Sequence, residues 1–321
     1  MAILITGGAG FIAVSLAERL LARGETVVAL DNLCRGSLAN IDCFSAEPRF
    51  IFRQVELSDA VAFRSTLQSL SAVSRFTEVW HLAANSDIPA GVEDPQVDLR
   101  DTFMTTFQTL VMMKEFNIPD LLFASSSAIY GDLDDIELTE DVGPLFPISN
   151  YGAMKLASEA QITAARESFL KRALLFRFPN VVGLPATHGV ILDFIRRLRA
   201  DPSHLQVLGN GTQRKAYLHV SDLVDAMLHL RDRRELTRLA VNIGPPDPGV
   251  NVRFIAETVV ALAAPDATIG FGQEDRGWVG DVPKFRYSID LLRRHGWAPT
   301  MDSAGAVRRA VAEINQREPR V

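Results

Sequence analysis

Through its first half the chain alternates short apolar runs with stretches in which apolar residues recur every three or four positions. AILIT, TVVALD, RFIFRQVEL, EVWHLAA, DLLFASSS and RALLFRF read as strands. Between them, FIAVSLAERLLARG reads as a helix closed by Gly24, Val97 to Phe116 as a long helical stretch, and Tyr151 to about Leu170 as another. Near-continuous apolar strands alternating with helices predict a parallel sheet covered on both faces. With right-handed crossovers the sheet is doubly wound. After Asn180 the texture changes, because prolines and glycines cut the pattern into shorter pieces. VILDFIRRLRAD, RFIAETVVALAA and SAGAVRRAVAEINQ still read as helices, LQVLG as a strand, and SDLVDAMLHLRD as a helix with Ser221 as its N-cap. The expected organisation is an α/β fold. Residues 1–180 form a dinucleotide-binding domain to which later elements return, and residues 181–321 mainly form a smaller substrate-binding lobe.

Composition narrows this picture. The chain has 321 residues, 47% hydrophobic and 22% charged, as in an ordinary globular protein. The net charge of −6 gives no electrostatic case for nucleic acid or an anionic membrane as partner. Cys34 and Cys43 lack metal or redox spacing, and so few cysteines fit a reducing cytoplasm. The N-terminus runs straight into a strand without signal-peptide character, and no apolar run reaches the ~20 residues that span a bilayer. The expectation is a cytoplasmic enzyme with no metal.

The first candidate chemistry is ITGGAGFIA, where Gly7, Gly10 and Ala13 follow a strand and open a helix. Small residues let the backbone turn tightly and approach a pyrophosphate, which the helix N-terminus then attracts. Asp31, at the end of the second strand, can accept hydrogen bonds from an adenosine ribose and repels a 2′-phosphate, which favours NAD over NADP. Arg35 is a mild signal the other way. The second candidate is Tyr151 with Lys155, four residues apart and so on one helix face. An ammonium beside a phenol favours the phenolate, and such a tyrosine can take a proton from a sugar hydroxyl.

These residues, with LDNLCRG, HLAA, FASSSAIYGD, YGAMK, RFPNVVG, GNGTQRKAYLHVSDLVDAM and RGWVGDVPK, resemble the extended short-chain dehydrogenase/reductases that modify nucleotide sugars. The match covers nearly the whole chain and is nearest the UDP-glucose 4-epimerase-like branch. The resemblance implies a tightly held NAD, oxidation of a UDP-sugar at C4, and a homodimer paired through two helices near 99–116 and 153–169. It implies Tyr151 as base, Lys155 as its electrostatic partner, and Ser126 as proton relay, with Ser125 and Ser127 as alternatives. It places Gly7, Gly10, Phe11, Ile12, Asp31, Asn32, Leu57, Leu82, Ala83, Ala84 and Pro179, together with Tyr151 and Lys155, around the cofactor. Around the sugar nucleotide it places Ser126, Asn180, Val190, Lys215, Tyr217, Arg276 and Asp281. His81 and His219 read as structural.

Departures from the family pattern bear on the reaction. Ser127 and Ala128 stand where sugar 4,6-dehydratases carry an Asp and a Glu, which argues against ordinary dehydration. Lys215 stands for an arginine, with Arg214 adjacent, and Trp278 for another, with Arg276 two positions earlier. Thr102 and Thr105 replace an asparagine and a small residue beneath the active site. Phe285, at a size-gating position, favours an unsubstituted hexose. The default reaction is 4-epimerisation. One alternative is the 5,6-dehydration of UDP-N-acetylglucosamine known from tunicamycin biosynthesis, which the altered active-site helix resembles. A non-catalytic dinucleotide sensor ranks last, because such proteins usually lose the Tyr/Lys pair.

Overall fold

The computed structural model describes residues 1–133, 136–273 and 286–318. Two compact units emerge from the packing. The first comprises residues 1–131, 144–177 and 227–241, and the second comprises 132–143, 178–226 and 242–321.

The first unit is built on a seven-stranded sheet. Its order is Arg238–Asn242, Arg172–Arg177, Asp120–Ala124, Phe76–His81, Ala2–Thr6, Val27–Asp31, Phe50–Gln54. The five pairings among the last six of these strands are parallel. Ala2–Thr6, Val27–Asp31 and Arg172–Arg177 are buried at every position, as a sheet covered on both faces requires. One core packs Leu4, Val28, Leu30, Phe63, Leu67, Val79, Phe123 and Ile162 together. The doubly wound α/β reading is therefore correct, and the N-terminal strand lies inside it, next to the central strand Phe76–His81. Strand order reverses there, with Val27–Asp31 on one side and Phe76–His81 on the other. Ligands of such sheets bind at the carboxyl ends of the strands beside that reversal.

One predicted helix is not uniform. The stretch read as continuous from Val97 consists of a short α-turn, Pro95–Asp98, a π-helix over Leu99–Met104, and a regular α-helix, Thr105–Glu115. The wider i→i+5 turn rotates the side chains that follow, and π-segments of this kind recur at functional sites. In the second unit, helices Val190–Ala200, Val252–Ala263 and Ser303–Arg317 pack their apolar faces around Ile195, Leu205, Val259 and Val311. Ser221 lies inside helix Val220–Asp232, not at its N-cap. Its hydroxyl pairs with His219 Nδ1 at 2.8 Å, and His219 in turn meets Glu313 at 3.0 Å, so this histidine is structural. No helix among the described residues is long and apolar enough to cross a membrane.

Candidate active site

The glycine turn leaves the first strand with Gly7 at φ 69°, a conformation that favours glycine. A Cβ at Gly7 would stand 2.8 Å from the Ala83 nitrogen, and one at Gly8 would stand 2.5 Å from the Ala29 Cβ. The turn is thus pressed against both neighbouring strands, and only glycine permits the approach. Helix Phe11–Ala22 then starts at Gly10 without a side-chain cap and without an acidic residue in its first turn. Its free N–H groups and dipole remain available to an anion. Asp31 is buried, and its carboxylate accepts from the Ala9 N–H (3.0 Å) and the Leu33 N–H (2.7 Å). Burial pushes its pKa up, making it a weaker acid, and the two backbone donors pull the other way. Each oxygen keeps a lone pair for a ribose hydroxyl. Asn32 donates to Glu56 at 2.8 Å, and Leu57 is buried at the end of the adjoining segment. The turn, the uncapped helix and the aspartate suit a dinucleotide.

Helix Asn150–Ser168 carries the second half of the site. Ser149 caps it by accepting from the Gly152 N–H at 3.1 Å, and Asn150 ties its start to the Gly91 carbonyl at 2.7 Å. A Cβ at Gly152 would overlap the Ala128 carbonyl oxygen, so glycine lets this helix seat against the serine segment. Replacing Gly152 with alanine must push the two apart, at a cost of about 1–3 kcal/mol. Thermal unfolding of Gly152→Ala should show that loss, together with reduced activity.

Tyr151 and Lys155 do share a face. Lys155 is fully buried, donates to the Ala124 carbonyl at 2.7 Å, and places Nζ 4.7 Å from the Phe123 ring centre and 5.8 Å from that of Tyr151. The Ser126 hydroxyl lies close enough to the Tyr151 phenol to favour its ionised form. The other two serines are set apart. Ser125 is buried and donates to Glu159 at 2.5 Å, while Ser127 opens the short 3-10 turn after Ser126. Of the three alternatives, Ser126 is the one brought to Tyr151.

The electrostatics differ from the sequence expectation. Loss of water around the Tyr151 phenol, with the Asp98 charge nearby, pushes it up to about 12, against the lowering effect of Ser126. Burial pulls Lys155 down to about 7, opposed by Glu159 and Asp98. In the protein alone the phenol is therefore held neutral, because desolvation outweighs the help from Ser126. Spacing reveals which groups meet but not how dry they are.

Several further side chains complete the surroundings of the pair. Glu159, one turn beyond Lys155, forms a bidentate pair with Arg177 at 3.0 and 2.7 Å. The Tyr151, Lys155, Glu159 spacing could have revealed it. Asp98, fully buried, accepts from Asn85 at 3.0 Å and has one oxygen without a partner. Thr102 turns to the Asn85 N–H at 3.1 Å, while Thr105 bonds backwards to the Asp101 carbonyl at 2.9 Å. His81 is fully buried between the Thr6 (2.7 Å) and Thr106 (3.0 Å) hydroxyls and stacks on Phe123. Burial, with the Lys155 charge, holds it down to about 3. Between pH 6.5 and that value the unfolded chain binds a proton that folded His81 refuses, so stability falls as pH falls. Urea unfolding at stepped pH should show a shallower acid slope in His81→Gln than in the wild type.

The remaining predicted positions lie in the second unit. Asn180 is in register with Tyr217 and donates to the Ala216 carbonyl at 3.3 Å. Tyr217 is buried in that unit's core, Lys215 pairs with Val250, Pro179 lies beside Gly244, and Val190 opens its helix. Arg276, Trp278, Asp281 and Phe285 lie outside the described residues.

A family model described as the NAD dependent epimerase/dehydratase family matches residues 3–244. This chain belongs to that family. It is 34% identical to a UDP-galactose 4-epimerase of known crystal structure, with a TM-score of 0.85 over 98% of this chain and 99% of that one. The UDP-glucose 4-epimerase of Thermus thermophilus, solved as a complex with NAD, is 28% identical, with a TM-score of 0.84 over 99% and 100% of the two chains. The UDP-glucose 4-epimerase of Azospirillum brasilense is 28% identical over 97% of this chain and 91% of its own. The protein is an NAD-dependent enzyme of the epimerase type, and the glycine turn with Asp31 suits that cofactor.

Proposed function

We propose that this enzyme interconverts the C4 epimers of a UDP-hexose. The observation that carries the reading is the cluster of Ser126, Tyr151 and Lys155 on one helix face and its facing segment, with Ser127 and Ala128 where a dehydratase would need acid and base. NAD, when bound, supplies the hydride acceptor for C4 and the hydride that returns to it. Gly7, Gly10, Phe11 and Ile12 hold its pyrophosphate, and Asp31, Asn32 and Leu57 hold its adenosine. Leu82 to Ala84 and Pro179 flank the rest.

Ser126 stands between the sugar 4-hydroxyl and Tyr151 and passes the proton to the phenolate, which becomes the phenol. Lys155, as ammonium, offsets the charge of the phenolate that accepts it; as a neutral amine it could not. Asn180, Val190, Lys215 and Tyr217 bind the sugar nucleotide with Arg276 and Asp281, Lys215 meeting phosphate as a point charge. The substrate is an unsubstituted hexose in preference to an N-acetylhexosamine.

The enzyme works in the cytoplasm as a homodimer. Phe103, Met104, Phe107 and Val111 keep partly exposed apolar surface on the helix at 99–115, whereas Leu110 and Met113 are spent on the core. Incubation with UDP-galactose or UDP-glucose should reach the same mixture of C4 epimers from either side. A failure to form a C4 epimer from any UDP-hexose or UDP-N-acetylhexosamine would refute the reading.

A further inference from the structure

The loop after the second strand carries an acid and a base a few residues apart, and the fold uses them differently. Asp31 faces the glycine turn through Ala9. Arg35 reaches the loop after the fourth strand, where its Nη2 meets Asp87 at 2.6 Å and Asn85 Oδ1 at 3.3 Å. Because the first strand lies between the second and the fourth, this contact joins the two loops that flank the glycine turn.

Asn85 makes the arrangement rigid. It is 2% exposed, and every arm of its amide is engaged. Its oxygen accepts from Arg35 and from the Asp87 N–H (3.1 Å), and its nitrogen donates to the Asp87 carbonyl (2.9 Å) and to Asp98 (3.0 Å). The arginine's own loop is pinned as well. Asn40 donates to the Ala9 carbonyl at 2.9 Å, and a Cβ at Gly36 would stand 2.9 Å from Ala9 atoms.

An arginine just past the second strand is the side chain that accommodates the 2′-phosphate in NADP-binding folds of this class. This chain keeps such an arginine and occupies it. We propose that Asp87, with Asn85, is a cofactor-specificity residue: it engages the Arg35 guanidinium and so withholds the cation a 2′-phosphate would need. Asp31 rejects the phosphate by repulsion, and Asp87 removes what could offset that repulsion. These are two separable devices against the wrong ligand. The Arg35 and Asp87 side chains are 43% and 36% exposed, so their pair alone would yield to a phosphate dianion. The fixed Asn85 acceptor and the Asp31 charge hold the choice. Both effects should therefore appear together once Asp31 is neutralised.

The proposal rests on NAD binding at the glycine turn. The test is competitive loading of the full chain. Protein is equilibrated with NAD and a fixed excess of NADP, freed of unbound nucleotide and denatured, and the released dinucleotides are quantified by chromatography. The variants are Asp31→Ser, Asp31→Ser/Asp87→Asn, and the triple variant that adds Arg35→Ala. Asparagine can still cap the helix that Asp87 opens by accepting from the Ala90 N–H, so Asp87→Asn preserves the loop. The double variant should carry an NADP:NAD ratio about tenfold above that of Asp31→Ser, the worth of one charge-assisted contact. The triple variant should fall back. A double variant with the ratio of Asp31→Ser, or a ratio indifferent to Arg35→Ala, overturns the assignment while leaving NAD binding intact. A wild type that carries neither dinucleotide overturns both.

Discussion

Tyr151→Phe should lower kcat by about 10²- to 10⁴-fold, the range contributed by a positioned proton-transfer group. The change removes one oxygen and keeps the ring, so folding and bound NAD should persist. Ser126 is the hydroxyl beside the Tyr151 phenol, and with Phe the serine loses its proton acceptor. The loss should therefore fall on kcat more than on KM, because the missing interaction belongs to the transition state. The pH dependence follows from the environment. With the phenol pushed up to about 12 and Lys155 drawn down to about 7, the reactive pair is mostly uncharged in the protein alone at neutral pH and above. The reactive form pairs the phenolate with the Lys155 ammonium, so the wild-type rate should rise with pH only up to about 7 and then level off, and Tyr151→Phe should lose that rising limb. Steady-state kinetics across pH, with NAD content measured in parallel, decide the matter. Equal kcat in the two proteins would remove Tyr151 from the chemistry.

The second large effect is on stability. Arg177→Leu should destabilise the protein by about 3–5 kcal/mol, because it strands a buried carboxylate. Glu159 and Arg177 have side chains 7% and 9% exposed. The guanidinium grips both carboxylate oxygens, donates to the Tyr130 hydroxyl at 3.0 Å, and lies 5.4 Å from that ring's centre. Ser125 supplies a further donor to the same carboxylate. Adding Glu159→Leu should recover part of the loss, since an apolar pair leaves no orphaned charge. Urea unfolding of the two single variants and the double variant measures this directly. A double variant as unstable as the sum of the singles would contradict the buried-charge account. The pair also bears on the site, since Glu159 raises the basicity of Lys155. Neutralising it as Glu159→Gln should leave Lys155 uncharged at lower pH than in the wild type.

How much could be read from the sequence follows from what each feature depends on. The parallel sheet was legible because its inner strands are largely apolar, and burial on both faces writes that into the chain. Gly7 was legible because its positive φ and the close Ala83 backbone leave only one residue type. The Tyr151–Lys155 face follows from helical periodicity alone. The π-helix over Leu99–Met104 was not legible, because a single wider turn changes no composition and barely alters the apolar spacing. Its consequence, Thr102 facing Asn85 and Asp98, is a product of tertiary packing. The choice among three adjacent serines depends on which way one short turn points them. The upward displacement of Tyr151 was hidden for a different reason, since the charged neighbour is visible in the sequence and the missing water is not. The Arg35–Asp87 contact joins two loops far apart in the chain and has no local signature.

The central claim is C4 epimerisation of a UDP-hexose by an NAD-dependent enzyme. Its most direct test is incubation of the purified protein with UDP-glucose, and separately with UDP-N-acetylglucosamine, in D2O, with products read by mass and NMR. The account predicts a C4 epimer of unchanged mass, without deuterium at C5, and with the unsubstituted hexose as the better substrate. A product lighter by one water, with vinylic protons at C6, would contradict it and identify a 5,6-dehydratase.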